Sequence, residues 1–520
     1  MSVDDWHKFS LNSDPCVTTF TRKPRTDPSH TRIATRAYLP ALQLPEERRL
    51  TVNSLMRFVL LFVFTCALLH SSPFVERFEV IKRTATPTEL YTLLYALPKG
   101  GDIHNHLSGS GLPEWWYEFA TSAEHNGGDT FYTRVKFSTP IETGQPLVIY
   151  RTIRQHTYEQ LSTAEQADYL ELGKLSPEQK QSWLDALRID RDSEGRQEFF
   201  NWIGPRRGQL GQNIHVMSEI LVRNLQAFGA EGVRYLETQL GAHGFVDNQG
   251  RAIAADTAVA FLKNRLARSD ATSSNVAVRF QRTVLRFAPD SERQLEEAYR
   301  FVNTNRDLWV GLNMAGIEEN GKGYPGRFLQ KFRELRRTFP TLPLSIHAGE
   351  MDGPNHHVRD TLLLGANRIG HAVNLIHDPN TLLLMRNNKF LVEINLISNQ
   401  LLEYVPDLSA HPFPEYLRTG VPVCLNTDDR GMWDSNLTDE YYHAVTLFNL
   451  SWDEIVQLGR NSLAYSFAQP ELKAQLLASY EAAIAAFETN YTSPDSLEKL
   501  KAITPAAYGY AKRTWGFQFN

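Results

Sequence analysis

Four clusters in this chain hold residues able to bind a metal or move a proton. The first is Asp102-Ile103-His104-Asn105-His106. In an extended chain, residues two apart point to the same side, so His104 and His106 aim into one space. Neutral imidazole is a good zinc ligand, although in a chain with 16 histidines an H-x-H alone suits an ordinary polar strand end equally well. The second is Ser345-Ile346-His347-Ala348-Gly349-Glu350. Here His347 offers a third nitrogen, and Glu350 a proton donor or acceptor beside it; the plainer reading is a strand-end histidine followed by a helix-capping glutamate. The third is Arg368-Ile369-Gly370-His371, and the fourth Asn426-Thr427-Asp428-Asp429. Two adjacent carboxylates repel each other unless a cation or solvent covers them, or one of them caps a helix.

The elements that must carry these clusters are short apolar runs separated by helical patterns. Eight runs read as strands: Asp102–Leu107, Val233–Leu240, Val276–Phe287, Leu308–Ala315, Leu342–His347, Asn367–Val373, Phe390–Leu396 and Val421–Thr427. Helical periodicity fills Ile214–Phe228, Asp256–Arg268, Glu292–Asn303, Gly326–Arg337, Arg359–Leu364, Pro379–Asn387 and Pro412–Arg418. Such alternation predicts parallel βαβ units, and eight of them predict an α/β chain closed into a (β/α)8 TIM-type barrel. The four clusters then fall at the C-terminal ends of strands one, five, six and eight, the face where such barrels do their chemistry. Three histidines and one aspartate drawn from them would make a sensible zinc shell with a position left for water. Roughly 125 residues separate the first two strands, which predicts an insertion at about 120–200 beside the catalytic mouth. Further helices are expected at about 437–495.

Composition narrows the class. Hydrophobic residues make up 42% and charged residues 22%, as in a globular protein with a sizeable core. A formal net charge of -5 with no long basic run gives no footprint for a nucleic-acid partner. Cys16, Cys66 and Cys424 are too few for a disulfide framework or a cysteine-rich metal site. The run MRFVLLFVFTCALLHSSPF from Met56 has a short positive start and an apolar stretch too short to span a bilayer. Residues 56–72 therefore read as a signal peptide or signal anchor. The expected location is exported, periplasmic or secreted, with any membrane contact made by residues 57–69. Residues 1–55 are polar and weakly patterned, and are expected to lie before the true start of translation. Residues 73–520 are left as the barrel domain.

The motifs PKGGDIHNHLSGS, VRYLETQL, GLNMAG, SIHAGE, RIGHAV, EINLISNQ and CLNTDD occur in this order over roughly residues 97 to 470. As a set they resemble the adenosine deaminase family of metallo-dependent hydrolases. The PKGG opening and the long insertion look closest to its exported, growth-factor-like branch. The resemblance implies that His104, His106, His347 and Asp428 bind one Zn2+ per chain and that Glu350 protonates purine N1. It implies that His371 orients or deprotonates the attacking water, and that Asp429 accepts a hydrogen bond from the N7 side of the base. Substrate contacts are further implied at Gly316, whose backbone would meet the purine edge, and at Ser108. Many members carry an acidic residue at the Ser108 position to hold the ribose. Strand four has no lysine of the kind that bridges two metals in related enzymes, which favours a single ion. The implied reaction is hydrolysis of adenosine or 2'-deoxyadenosine to the inosine product and ammonia. The alternatives are a deaminase of another amino-purine or modified nucleoside, and a non-catalytic extracellular binding protein. The partner is a small purine nucleoside, with a homodimer also compatible. Among the remaining residues, His356 and His357 are expected to be solvated loop histidines on the catalytic face. His377 and His411 are expected to be structural or exposed, Trp115, Trp116 and Tyr117 helix core, and Cys424 a buried inert thiol.

Overall fold

Strand β1 (Gly100–His106) follows two helices, Pro73–Thr84 and Pro87–Ala96, that the sequence pattern did not reveal. The computed structural model describes residues 72–138 and 148–519. The expected extension 1–55 and, apart from Ser72, the expected signal segment 56–72 lie outside them. Among the described residues no helix is long and apolar enough to cross a membrane.

After β1 comes the insertion. It contains the short strands β2 (Phe131–Arg134), β3 (Thr152–Arg154) and β4 (Tyr169–Glu171), paired antiparallel in the order β3-β2-β4. The sequence pattern placed an insertion here but revealed none of these strands. Strands of three and four residues are too short to show a period, so this small sheet left no alternating signal. The insertion also carries the helix Pro177–Asp185, begun by a capping box in which Ser176 and Gln179 bond each other's backbone N–H.

The barrel continues through β5 (Val233–Gln239), β6 (Ala277–Leu285), β7 (Trp309–Ala315), β8 (Leu344–Ala348), β9 (Arg368–His371), β10 (Leu391–Ile394) and β11 (Val423–Leu425). With β1 these form one eight-stranded sheet in sequential order, every described pairing parallel. The last strand returns to the first just beyond its own end. Asn105 bridges Asp428, His106 N–H donates to Asp428 C=O at 3.1 Å, and Asp428 N–H donates to His104 C=O at 3.0 Å. The clasp that closes the barrel is thus made by site residues.

Beneath the mouth the barrel interior is polar, and its buried charges are paired. The buried Arg368 guanidinium donates to Glu237 (2.8 Å) and Glu393 (2.5 Å) and lies 3.7 Å from the Phe467 ring centroid. Such a buried cation persists only because two carboxylates and an aromatic face replace its water. At the opposite end, the Lys99 ammonium bonds the carbonyls of Leu94, Tyr95, Leu97 and Glu231, so the PKGG turn finishes the second helix and starts the barrel. The expected C-terminal helices are Leu437–Phe448, Trp452–Ala464 and Pro470–Tyr491, with shorter ones at Ser496–Leu500 and Gly509–Trp515.

Candidate active site

His104, His106, His347 and Asp428 converge, each offering a ligand atom within 4.8 Å of the others. The His106 Nε2 lies 3.2 Å from both His347 Nε2 and Asp428 Oδ1. His104 Nε2 is buried without a hydrogen bond, and Asp428 Oδ1 is 3.5 Å from it. Three imidazole nitrogens and a carboxylate oxygen around one point suit a divalent cation, and the N3O set suits zinc in particular. Neighbouring groups fix the rings. The His104 Nδ1 bonds Glu393 at 2.7 Å, the carboxylate–histidine arrangement that orients a metal ligand and raises its basicity. Gly370 makes room for this, since a Cβ there would stand 2.7 Å from His104 Cε1.

The proton-handling candidates border the same point. His371 Nε2 is 3.5 Å from Glu350 Oε2 and 3.8 Å from Asp428 Oδ2. The His371 ring is held from behind by the amides of Asn399 (3.0 Å) and Asn395 (3.2 Å) at Nδ1. His371 and Asp428 both have positive φ, 63° and 53°. A non-glycine residue there carries about 1–3 kcal/mol of backbone strain, which persists only where its surroundings over-determine it. Asp429 is buried beside Asp428.

Electrostatics divides the roles. Burial pushes the imidazoles of His347 well down, His106 to about 4 and His371 to about 3, which keeps them neutral and able to offer lone pairs. His104 behaves differently: burial opposes its charge, but Asp428 and Glu393 prevail and raise it to about 10. The carboxylates that favour a proton on His104 would equally favour a metal cation at its Nε2. Burial, then Asp428 and Glu318, raise the Glu350 carboxyl well above the usual range. Burial and Asp428 do the same to Asp429, with Arg207 opposing.

Gly316 occupies the turn after β7 with φ of 104°. A Cβ there would stand 2.7 Å from the Phe287 ring, which leaves no room for a side chain. Ser108 is half-buried in the short helix Leu107–Ser110, and its carbonyl accepts a bond from Arg207, just after the insertion. Trp115 and Trp116 are buried in their helix, as expected, as is the Cys424 thiol. His411 is buried against Asn399, while His377 is exposed. His356 is 63% exposed, as expected of a loop histidine. His357 is not: it is 18% exposed and bonds Glu318 at 2.6 Å, which corrects the expectation of a solvated side chain.

Sequence reasoning missed Glu393, Glu318, Asn395, Asn399 and Arg207. For Glu393 a signal was present, since an acidic residue inside the apolar run FLVEINL must have a buried partner. The others are recognisable only once separate loops are brought together.

A family model described as adenosine deaminase matches residues 158–482. Among curated relatives, an adenosine deaminase from Enterococcus faecalis is 34% identical over 185 residues, 35% of this chain and 53% of that protein. An adenosine deaminase from Aedes albopictus is 26% identical over 414 residues, 76% of this chain and 74% of that protein. The chain spans about half the length of the first of these curated relatives. The apo structure of an N6-methyl-AMP deaminase from Arabidopsis thaliana superposes with a TM-score of 0.56 at 20% identity, over 76% of this chain and 99% of that one, and so shares the fold.

Proposed function

The chain belongs to the adenosine deaminase family, and on that premise we propose that it hydrolyses the 6-amino group of adenosine, and of 2'-deoxyadenosine, to yield the inosine product and ammonia. The observation that carries this reading is Glu350, a carboxyl only 11% exposed and 3.5 Å from His371, placed against the His-and-Asp cluster where its proton affinity is raised. His104, His106, His347 and Asp428 would hold one zinc ion. A zinc ion held there would supply, as nucleophile, a water whose pKa is lowered to about 7.

The chain's own groups then do the following. Attack at C6 builds negative charge on the ring, and Glu350 delivers a proton to N1 to remove it. A carboxyl can donate near neutral pH only if its proton affinity is raised, as burial raises it here. His371, neutral and pinned at Nδ1 by Asn395 and Asn399, presents Nε2 to the site and orients the attacking water. Adenine N7 is an acceptor, so the Asp429 carboxyl, which burial and Asp428 keep protonated, donates to it. This reverses the donor and acceptor expected from the sequence. The Gly316 backbone borders the purine edge.

One observation favours a second reading, a nucleotide or otherwise modified substrate. Arg207, just after the insertion, bonds the Ser108 carbonyl, and the charge of Asp429 acts on it. With Ser108 in place of an acidic residue, this half-buried cation stands beside Ser108, and an anionic substituent bound there would be compensated. Export through residues 56–72 stays part of the proposal, tested by N-terminal sequencing of the mature chain. The central test is adenosine conversion followed by ultraviolet absorbance, with bound zinc measured and Glu350→Gln as control. Turnover that survives Glu350→Gln would remove the assigned acid, and zinc binding without adenosine turnover would move the substrate elsewhere.

A further inference from the structure

Behind Glu350 lies a buried group that the reaction does not use directly. Glu318, in the loop after β7, is 2% exposed. Its carboxylate accepts the backbone N–H groups of two consecutive residues of the next loop, Gly349 and Glu350, both at 3.1 Å. Gly349 has φ of 76°. A left-handed residue in such a turn points successive N–H groups to one side, a concavity that attracts an anion. Glu318 fills it from inside the protein. His357 Nδ1 holds the same carboxylate at 2.6 Å, and Arg286 Nη1 approaches it at 3.8 Å. The Arg286 Nη2 in turn donates to the carbonyls of His347 (2.6 Å) and Met314 (3.2 Å). One ion pair therefore connects the end of β7, the carbonyl of His347 at the end of β8, and the peptide that carries Glu350.

We propose that Glu318, supported by Arg286 and His357, is the positioning residue for Glu350: it fixes the Gly349–Glu350 peptide relative to His347 so that the acid meets the substrate in one orientation. The inference builds on the deaminase reading in taking Glu350 as the acid, but the geometry it describes belongs to the backbone. Glu318 acts through another residue and touches no reacting atom. A glutamine in its place keeps the shape, but it turns an acceptor into an N–H2 facing backbone donors and leaves Arg286 without its counter-charge. Displacing a reacting group by about 1 Å costs on the order of 100-fold in rate.

The first test needs no substrate. Hydrogen exchange of the zinc-loaded full chain is compared between wild type and Glu318→Gln. Faster exchange confined to the segment around residues 348–356 is expected, and unchanged protection there overturns the proposal. The second test reads kinetics. Glu318→Gln should keep its zinc and its KM while kcat falls by about 10- to 100-fold. The same change made in Glu350→Gln should lower the residual rate no further, since a positioning residue has nothing left to position. A kcat within about two-fold of wild type, or an equal loss in both backgrounds, overturns the role. Should Glu318→Gln not fold, His357→Phe decides in its place. Removing that donor is expected to loosen the same segment and lower kcat several-fold at constant KM, and no change in either overturns the proposal. The deaminase reading is tested apart from this, by wild-type turnover and by Glu350→Gln alone.

Discussion

Replacing Gly109 by alanine probes whether Asp429 holds the base. Gly109 lies in the short helix after β1, directly against Asp429. A Cβ there would stand 1.5 Å from Asp429 Oδ1, 2.4 Å from its Cγ and 2.7 Å from its Cβ. Ordinary carbon contacts begin at about 3.5 Å, so the carboxylate must withdraw by roughly 2 Å. The backbone cannot follow, because the Asp428 N–H and C=O are both bonded to β1 and the Asp429 carbonyl accepts from Met432 and Trp433. Side-chain rotation of Asp429 relieves the Oδ1 and Cγ contacts, and the contact at its Cβ requires a small outward shift of the Leu107–Ser110 turn. A displacement of this size at a positioned group costs on the order of 100-fold in kcat/KM, or about 2.7 kcal/mol. The fold should survive. Overpacking costs about 1–3 kcal/mol, against which alanine regains up to about 1 kcal/mol of helix propensity. In a domain of this size that lowers Tm by only a few degrees. The assay measures kcat/KM for adenosine, bound zinc and Tm on Gly109→Ala and wild type. The expected result is full zinc, a slightly lower Tm and a loss of about two orders of magnitude in kcat/KM. Unchanged kcat/KM would refute Asp429 as the contact that places the base. Loss of zinc would mean that the ligand role belongs to Asp429 rather than Asp428.

Three further outcomes follow from the site. Glu350→Gln should keep its zinc and lose roughly 100- to 10,000-fold in kcat. Because the Glu350 carboxyl is held above its ordinary value, it stays protonated to higher pH than a free carboxyl, and wild-type turnover should fall as pH rises through that raised value. A residual Glu350→Gln rate with the same alkaline limb would assign the limb to another group. Glu393→Gln removes the charge behind His104 Nδ1 and should weaken zinc by about 10- to 100-fold in competition with a chelator; unchanged affinity would deny Glu393 that role. Arg207→Met should leave adenosine turnover little altered but abolish any preference for adenosine 5'-monophosphate, and a wild-type enzyme that ignores the phosphorylated substrate would discard the nucleotide reading.

The eight barrel strands were legible because nearly all are buried runs bounded by turn residues, as in PKGG before β1 and Leu-Pro before β8, while β6 shows itself by alternation. The four chemical clusters were legible because each is local, a few residues at one strand end. What stayed hidden is non-local. Glu393 meets His104 across 289 positions, and Glu318 meets His357 across 39. The pair His356-His357 illustrates the limit. Two adjacent histidines in a loop look equivalent in sequence, yet one is solvated and the other is tied to a buried carboxylate on a different loop. The small sheet of the insertion was hidden for another reason, since strands of three residues give periodicity nothing to act on.

Three buried carboxylates share a task that no motif announces. Asp102 accepts the N–H of His104 (3.2 Å) and Thr427 (3.0 Å). Glu318 accepts those of Gly349 and Glu350, and Glu440 those of Leu396 (2.8 Å) and Ile397 (3.1 Å). Most of these amides lie just beyond the end of a barrel strand, where the ladder stops and a buried N–H would otherwise be orphaned. A loop of small residues turned toward water would satisfy them more cheaply, because burial raises Asp102 to about 7 and pushes Glu440 well above its usual range. Neither of those two has a lysine or arginine within ion-pairing reach among the described residues. The cost is consistent with a site whose backbone must be rigid before anything binds: the strand ends carry the proposed ligands and the proposed acid, and pre-set geometry is what allows fixed dipoles and charges to act at full strength in the transition state. Bound zinc would then add charge and a nucleophile to a frame that the chain's own acids already hold in place.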